Sequence, residues 1–347
     1  METKPNRPPH LLTIALVALL LVAACTTPTS GDPTELVLVT HDSFAVSDGI
    51  FASFEEQTGV SVRVLTVGDA GILTNQAILT RSNPTADVLF GIDNTFLSRA
   101  LDADLFVPYR SPALEGVPVD LIVDPDGRVT PIDFGDVCIN FDKAAFADRT
   151  PPGSLADLTR PEFAGELVVE NPATSSPGLA FLLATIATFG DDGWQSYWAD
   201  LVANDVLVVP DWETAYYGRF TGGGGSDRTM VVSYASSPPA EVIFAETTLT
   251  EAPTAVVTEG CFRQIEFAGI LRDSAPARQL VDFLLSEAFQ EDIPLNMFVF
   301  PALSSAALPS EFVEFTELPT APATLDPALI EANRDIWIDE WTSIVLP

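Results

Sequence analysis

Between residues 36 and 101 the chain alternates strand-like and helix-like patterns, and that alternation limits the folds open to it. Segment 36–40 is an unbroken apolar run, the pattern of a buried strand. In 49–58, Ile50, Phe51 and Phe54 recur at helical spacing and Gly59 supplies a stop. Residues 60–67 alternate as a strand, 71–81 carry helical spacing, 86–92 form a further buried strand and 94–101 a further helix. A β-α-β-α-β-α series packs as a parallel sheet covered by helices. Strand patterns recur at 129–141, 166–169, 205–209, 229–234 and 265–271. Helical ones lie at 179–189, 193–203, 214–220 and 275–285, and a last helix at 327–341. The glycines at 222–225 with Ser226 read as an exposed turn before a strand. A chain of 347 residues that is 47% hydrophobic has ample material for two lobes. The strands at 129–141 and 260–271 are placed to cross between them.

Ahead of this series, Lys4 and Arg7 precede an apolar run over 11–23 that closes on Val22-Ala23-Ala24-Cys25. A basic start, a short apolar run and small residues form a secretory signal. The run is too short to span a bilayer permanently. A cysteine at this cut position resembles the bacterial lipobox, in which it becomes the lipidated N-terminus, so Cys25 is the expected lipidation site. Residues 26–33, rich in Thr, Pro, Ser and Gly, read as a tether. The expected division is a signal peptide over 1–24, a flexible tether over 25–35, lobe 1 over 36–132 and 266–347, and lobe 2 over 133–265. Two α/β lobes on an exported, anchored chain suggest a solute-binding protein whose lobes close on a ligand like a hinge. Its ligand would sit at strand C-termini and helix N-termini.

The formal net charge is −33. Removal of 1–24 takes away Lys4, Arg7 and Glu2 and leaves a charge one unit more negative, with Lys143 the one remaining lysine. Such a surface repels nucleic acid and anionic lipid headgroups and favours cationic ligands. Cys138 and Cys261 remain once Cys25 is assigned, an even pair in an oxidising compartment, for which a disulfide is the default and two buried thiols the alternative. With His10 and His41 as the only histidines and no Cys/His cluster, neither a zinc site nor a cofactor is expected.

Asp42, Asp69 and Asp93 each follow one of the first strands, where an open α/β sheet presents side chains to its crevice. Each is also suited to capping the next helix or turn. Ser175-Ser176-Pro177-Gly178 begins an apolar helix, so its hydroxyls and free amides suit an anion or a plain cap. Trp212, Tyr216, Tyr217, Tyr234 and Phe298 stand beside loop positions, where aromatic rings serve either a core or a ligand.

Several segments occur in an order that resembles the thiamine-binding proteins of bacterial ABC importers. They are Thr40-His41-Asp42-Ser43-Phe44, Ala86-Asp87-Val88-Leu89-Phe90-Gly91-Ile92-Asp93-Asn94, Pro131-Ile132-Asp133-Phe134-Gly135, Asn171-Pro172-Ala173-Thr174-Ser175-Ser176-Pro177-Gly178-Leu179, Ser233-Tyr234-Ala235-Ser236-Ser237-Pro238 and Ile336-Trp337-Ile338-Asp339-Glu340-Trp341. The resemblance spans about 36–341. It implies an α/β, two-lobed type II periplasmic binding-protein fold, with mixed sheets flanked by helices and hinge strands between the lobes. It implies thiamine or its phosphates as ligand, ABC permease subunits as partners and no enzymatic activity. The family's contacts fall on Ala70 and Gly71, Ser175 and Ser176, Trp212, and Tyr234, Ala235, Ser236 and Ser237. His41, Asp42, Asp93, Tyr216 and Phe298 complete the candidate ligand set. A thiazolium cation suits a carboxylate and aromatic faces, an aminopyrimidine suits stacking and an Asp acceptor, and a phosphate suits the Ser175-Ser176 helix start. The chain departs from the family at His41, where Tyr is common, at Phe298, where Trp is common, at Ala240, where Tyr is common, and in an extra Tyr at Tyr216-Tyr217. The expected molecule is a monomer, extracytoplasmic and lipid-anchored to the cell membrane. Two alternatives share the fold: a ferric-ion-binding protein using Tyr216 and Tyr217, and a thiaminase-like enzyme using Cys138 as nucleophile.

Overall fold

The computed structural model describes residues 35–346; the signal, the lipidation site Cys25 and the tether up to residue 34 lie outside the described residues. The strands are β1 (Glu35–Thr40), β2 (Ser61–Thr66), β3 (Val88–Asp93), β4 (Thr130–Asp142), β5 (Leu167–Glu170), β6 (Leu207–Val209), β7 (Met230–Tyr234), β8 (Thr254–Ile270) and β9 (Phe300–Pro301). The helices are α1 (Ala52–Thr58), α2 (Ala70–Thr80), α3 (Leu97–Asp102), α4 (Ser176–Phe189), α5 (Trp194–Ala203), α6 (Trp212–Tyr216), α7 (Pro238–Ile243), α8 (Ala275–Leu284), α9 (Glu287–Asn296), α10 (Ser310–Phe315) and α11 (Pro327–Val345).

Local chemistry explains the boundaries. Gly59, at φ 71, ends α1 and donates its N–H to Glu55 O, a conformation that costs glycine little. Ser274 and Ser286 accept from Ala277 N and Phe289 N to open α8 and α9. Helix α6 stops at Tyr216, short of the expected 220, with Gly218 and the glycine run just beyond it. Helix α9 carries Pro294 inside it, a residue that breaks a helical pattern when read from sequence.

The strand order is β2-β1-β3-β8-β4-β7-β5-β6, with β9 on β4. β1 runs parallel to β2 and β3, and β5 parallel to β6 and β7. The two parallel blocks are joined through antiparallel β3–β8, β4–β8 and β4–β7 pairs. The expected mixed α/β architecture is present, with the two parallel blocks joined in one continuous sheet. The cause is length: β4 has 13 residues and β8 has 17. At roughly 3.3 Å per residue each is long enough to serve both blocks. Helix α11 spans them from outside. Arg334 donates to Ser98 Oγ on α3 at 2.9 Å, and Trp341 meets Trp198 of α5 edge-on at 5.4 Å.

The β4–β8 register shifts between Val137 and Ile139, which pair with Phe262 and Val257. The surplus residues of β8 bulge there, and Gly260 takes φ 79. Cys138 lies in this shift and forms a disulfide with Cys261 (S–S 2.05 Å, Cα–Cα 4.4 Å).

Candidate functional site

The cleft between the blocks is lined from the loop after β1 by His41 and Ser43 and from the N-cap of α2 by Asp69. Ser176 and Pro177 of α4, and Trp212, Glu213 and Tyr217 around α6, line the opposite side, with Tyr234 at the end of β7 and Ser237 beyond it. Glu266 of β8 forms its floor, and Asn296, Met297, Phe298 and Val299 close one end. Its cavity volume is about 180 Å³. Opposite walls touch where Gly71 N donates to Thr174 O at 3.1 Å. A Cβ at Gly71 would lie 2.8 Å from that oxygen, so glycine permits the approach.

Acidic groups dominate the floor. Glu266 is in register with Asp93 of β3 on one side and Asp133 of β4 on the other. Glu266 pairs with His41 at 3.5 Å and accepts from Gln264 Nε2 at 3.3 Å; Gln264 also donates to the Tyr234 hydroxyl at 3.0 Å. Neither oxygen of Asp133 nor of Glu170 meets a hydrogen-bond donor among the described residues, and both carboxyls are fully buried. Burial holds their pKa values well above the ordinary carboxylate range, with Glu266 adding to the effect at Asp133 and Asp69 at Glu170. Burial likewise raises Asp69 to about 6 against the opposing Ser175 hydroxyl, and Asp93 to about 6 against Ser176 and Thr95.

These shifts predict how stability follows pH. A carboxyl whose folded pKa exceeds its unfolded value near 4 binds more protons when folded, so its contribution falls as pH rises through the folded value. His41, raised to about 8, acts in the same direction: its stabilisation is complete below about 6.5 and lost through about 8. The melting temperature of the ligand-free protein is expected to fall between about pH 5 and 8, and Glu170→Gln to flatten that slope. Thermal melts across the range that are flat or rise with pH, or a Glu170→Gln profile parallel to the parent's, would contradict this.

The other expected residues take varied places. Asp42 is half-buried, and its N–H donates to Gly68 O at 3.0 Å. Asp93 is fully buried and accepts from Thr95 N at 2.7 Å and Thr95 Oγ1 at 2.5 Å, so it caps the turn after β3 beneath the cleft. Asp69 caps α2 by accepting from Ala70 N at 2.6 Å. Ser175 is fully buried at the N-cap of α4; among the described residues its hydroxyl and that of Ser176 lack a partner meeting hydrogen-bond geometry. Ala235 N donates to Asp136 O, and Ser236 Oγ to Phe298 O at 2.6 Å. Phe298 is held there at φ 56, a left-handed conformation that a bulky side chain adopts at a cost of about 1–2 kcal/mol. Ser237 Oγ lies 2.8 Å from Ser233 Oγ. Tyr216 is buried behind Trp212 and donates to Glu241 at 2.9 Å, whereas Tyr217 is the member of the pair that lines the cleft. Its partnership with Glu241 turns the Tyr216 phenol away from a shared metal site. Among the described residues no three His, Cys, Asp or Glu side chains are grouped to hold a metal.

Glu266, Glu213, Asn296 and Met297 are cleft residues that the sequence reading did not select. Glu266 had a usable signal: a carboxylate in the apolar strand Ile265-Glu266-Phe267-Ala268-Gly269-Ile270. The remaining three sit on helix ends and loops whose placement depends on long-range packing.

Two hinged α/β lobes around a small, acidic, aromatic-walled cleft define a periplasmic solute-binding protein of type II fold. The chain matches the family of bacterial extracellular solute-binding proteins over residues 83–322 and belongs to it. It is 30% identical over 336 residues to the thiamine-binding periplasmic protein of Escherichia coli K12, covering 94% of this chain and 97% of the relative. The solved periplasmic thiamin-binding protein superposes with a TM-score of 0.78 at 28% identity, over 90% of this chain and 96% of that one. Iron uptake protein A1 of Synechocystis is 23% identical over 323 residues, with 88% and 87% coverage. Members of this family bind solutes outside the cytoplasm and are not enzymes, and Cys138, closed in a disulfide, offers no thiol nucleophile.

Proposed function

We propose that the protein captures thiamine, or its mono- or diphosphate, in the cleft and delivers it to an ABC importer. The observation that carries this reading is the pairing of buried or half-buried carboxylates with flat aromatic walls in one small cavity: Glu266 and Asp69 with Trp212, Tyr217, Tyr234 and Phe298. A thiazolium is a flat, permanent cation and takes both kinds of partner. The aminopyrimidine can stack and hydrogen-bond, and the hydroxyls of Ser175 and Ser176 at the N-terminus of the 14-residue helix α4 suit a phosphate tail. The two thiamine-binding relatives named above support the same ligand. Ala70, Gly71, Ala235, Ser236 and Ser237 contribute backbone and hydroxyl contacts in this reading, with His41, Asp42, Asp93 and Tyr216 supporting the walls. The lobes are assigned as 36–132 with 266–347, and 133–265. The protein acts as a monomer anchored through lipidated Cys25.

Titration calorimetry with thiamine, thiamine phosphates, spermidine and ferric citrate tests the reading. Saturable heat with thiamine or a phosphate, accompanied by a raised melting temperature, is the expected result. Silence with all thiamine forms at millimolar concentration, together with binding of ferric citrate, would overturn it in favour of the metal-binding alternative.

A further inference from the structure

The cleft is acidic, yet one of its buried wall residues is basic. Lys and Arg are absent from the described residues that line it; His41 is the nitrogen base present. The residue is 8% exposed, and its Nε2 stands 3.5 Å from Glu266 Oε2, itself on a residue 8% exposed. The ring is locked in place. It packs against Phe90 at 5.9 Å between centroids, and a Cβ at Gly91 would overlap it, so Gly91, at φ 100, forms the notch that admits it. Nε2 has no partner of hydrogen-bond geometry among the described residues, which leaves the charge pair with Glu266 as its main interaction.

We propose that His41 is the resident cation of the empty cleft, neutralising Glu266 until a cationic heterocycle is captured and then releasing its proton to solvent. This rests on the reading that the ligand is a thiamine-type cation, and it makes His41 the residue through which the cleft senses ligand charge. The charged groups facing His41 are Glu266 from β8, Asp69 from the start of α2, Glu213 from α6 and its neighbour Asp42. Asp93 and Asp133 flank Glu266 on the adjoining strands. Burial pulls the imidazole pKa down, but Glu266, Asp69 and Asp42 outweigh it and raise the value to about 8. A permanent cation placed against the same carboxylates cancels the field that retains the proton, and the imidazole returns toward its ordinary value near 6.5 or below. The empty form then binds more protons than the loaded form between about pH 6.5 and 8. Affinity is therefore expected to rise with pH in that window, by about fivefold per pH unit at its steepest. Below it both forms are protonated and the dependence flattens.

Calorimetry with thiamine at pH 7.5, repeated in buffers of different ionisation enthalpy, counts the protons released. About half a proton or more per thiamine is expected for the parent, and fewer by about that amount for His41→Gln, in which only the raised floor carboxyls remain to release protons and the pH dependence of affinity between about pH 6.5 and 8 should weaken. In the chain from Cys25 onward His41 is the one histidine, so its imidazole proton resonance can be titrated without overlap. It should titrate near pH 8 when empty and at or below about 6.5 with saturating thiamine. Thiamine binding without proton release, or identical His41 titrations in the two states, overturns this proposal and leaves the proposed function standing. Absence of thiamine binding overturns both.

Discussion

Replacing both Cys138 and Cys261 by Ala is expected to lower stability by about 3–5 kcal/mol, the largest loss anticipated from any change outside the cleft. The two cysteines are 123 residues apart in sequence. Chain-entropy models assign about 4.7 kcal/mol to a closed loop of roughly 100 residues, and residual structure in the unfolded chain trims that figure. The site of the bond matters as much as the loop it closes. Residues 138 and 261 face each other where β8 bulges away from β4, and these two strands link the parallel blocks. Both cysteines are buried, against Ala235 and Val256. Ala235 begins the loop of Ala235, Ser236 and Ser237, and its N–H is tied to Asp136 O on β4. Loss of the bond should therefore also loosen one cleft wall, with a modest fall in ligand affinity. For a chain of this size the stability loss corresponds to a drop on the order of 5–8 °C in melting temperature. An unchanged melting curve for the double variant, or for the parent after reduction to two titratable thiols, would show that the bond contributes little.

Where the sequence was informative, one local rule decided the outcome. β1 and β3 are buried on both faces, so their apolar runs, 36–40 and 86–92, could be only interior strands. Gly59 ended α1 because φ 71 suits glycine, and the Pro177 helix start matched α4. Cys138 and Cys261 could be read as a pair because two cysteines remain in an exported chain. The illegible parts depend on distant partners. β8 extends back to Thr254 because β4 offers it a ladder that far, a fact absent from residues 254–259 themselves. The placement of Asp93 was legible and its environment was not. A carboxylate at a strand end reads as facing the crevice, but Thr95 and Phe96 amides draw its side chain into a cap. The Tyr216-Tyr217 pair shows the same limit at one-residue resolution. Adjacent positions on a short helix point apart, so one phenol reaches Glu241 and the other ring reaches the cleft. Glu266, Asp133 and Asp93 are far apart in sequence and adjacent in register, and the acidic floor exists only once the strand order is known.

Trp212→Ala is expected to weaken thiamine binding about ten- to a hundredfold, through loss of a ring face on a flat cation worth on the order of 1–3 kcal/mol. The indole is held for this task on three sides. It occupies the first position of α6, whose N-cap Asp211 accepts from Thr214 N at 2.7 Å. Its inner face stacks on Tyr216 at 5.1 Å and an interplanar angle of 21°, and Tyr217 meets it edge-on at 5.4 Å. Its Nε1–H donates to Ser233 Oγ at 3.0 Å, which fixes the plane of the ring. The outer face is left to the cleft, and the residue as a whole is half-buried. A contact role and a packing role therefore coexist, and their costs differ. A fully buried tryptophan truncated to alanine costs about 3–5 kcal/mol of stability. Trp212, open on one face, should cost less than that, so the variant should remain folded at 25 °C while its affinity falls. Trp212→Phe separates the contributions further, because it retains an aromatic face but gives up the bond to Ser233. It should lose affinity by a smaller factor, with a faster off-rate from a ring no longer fixed in plane. Calorimetry and thermal melts on both variants provide the check. A Trp212→Ala protein that binds thiamine like the parent, or that unfolds before its affinity can be measured, would move Trp212 from the ligand contact to the core beside Tyr216.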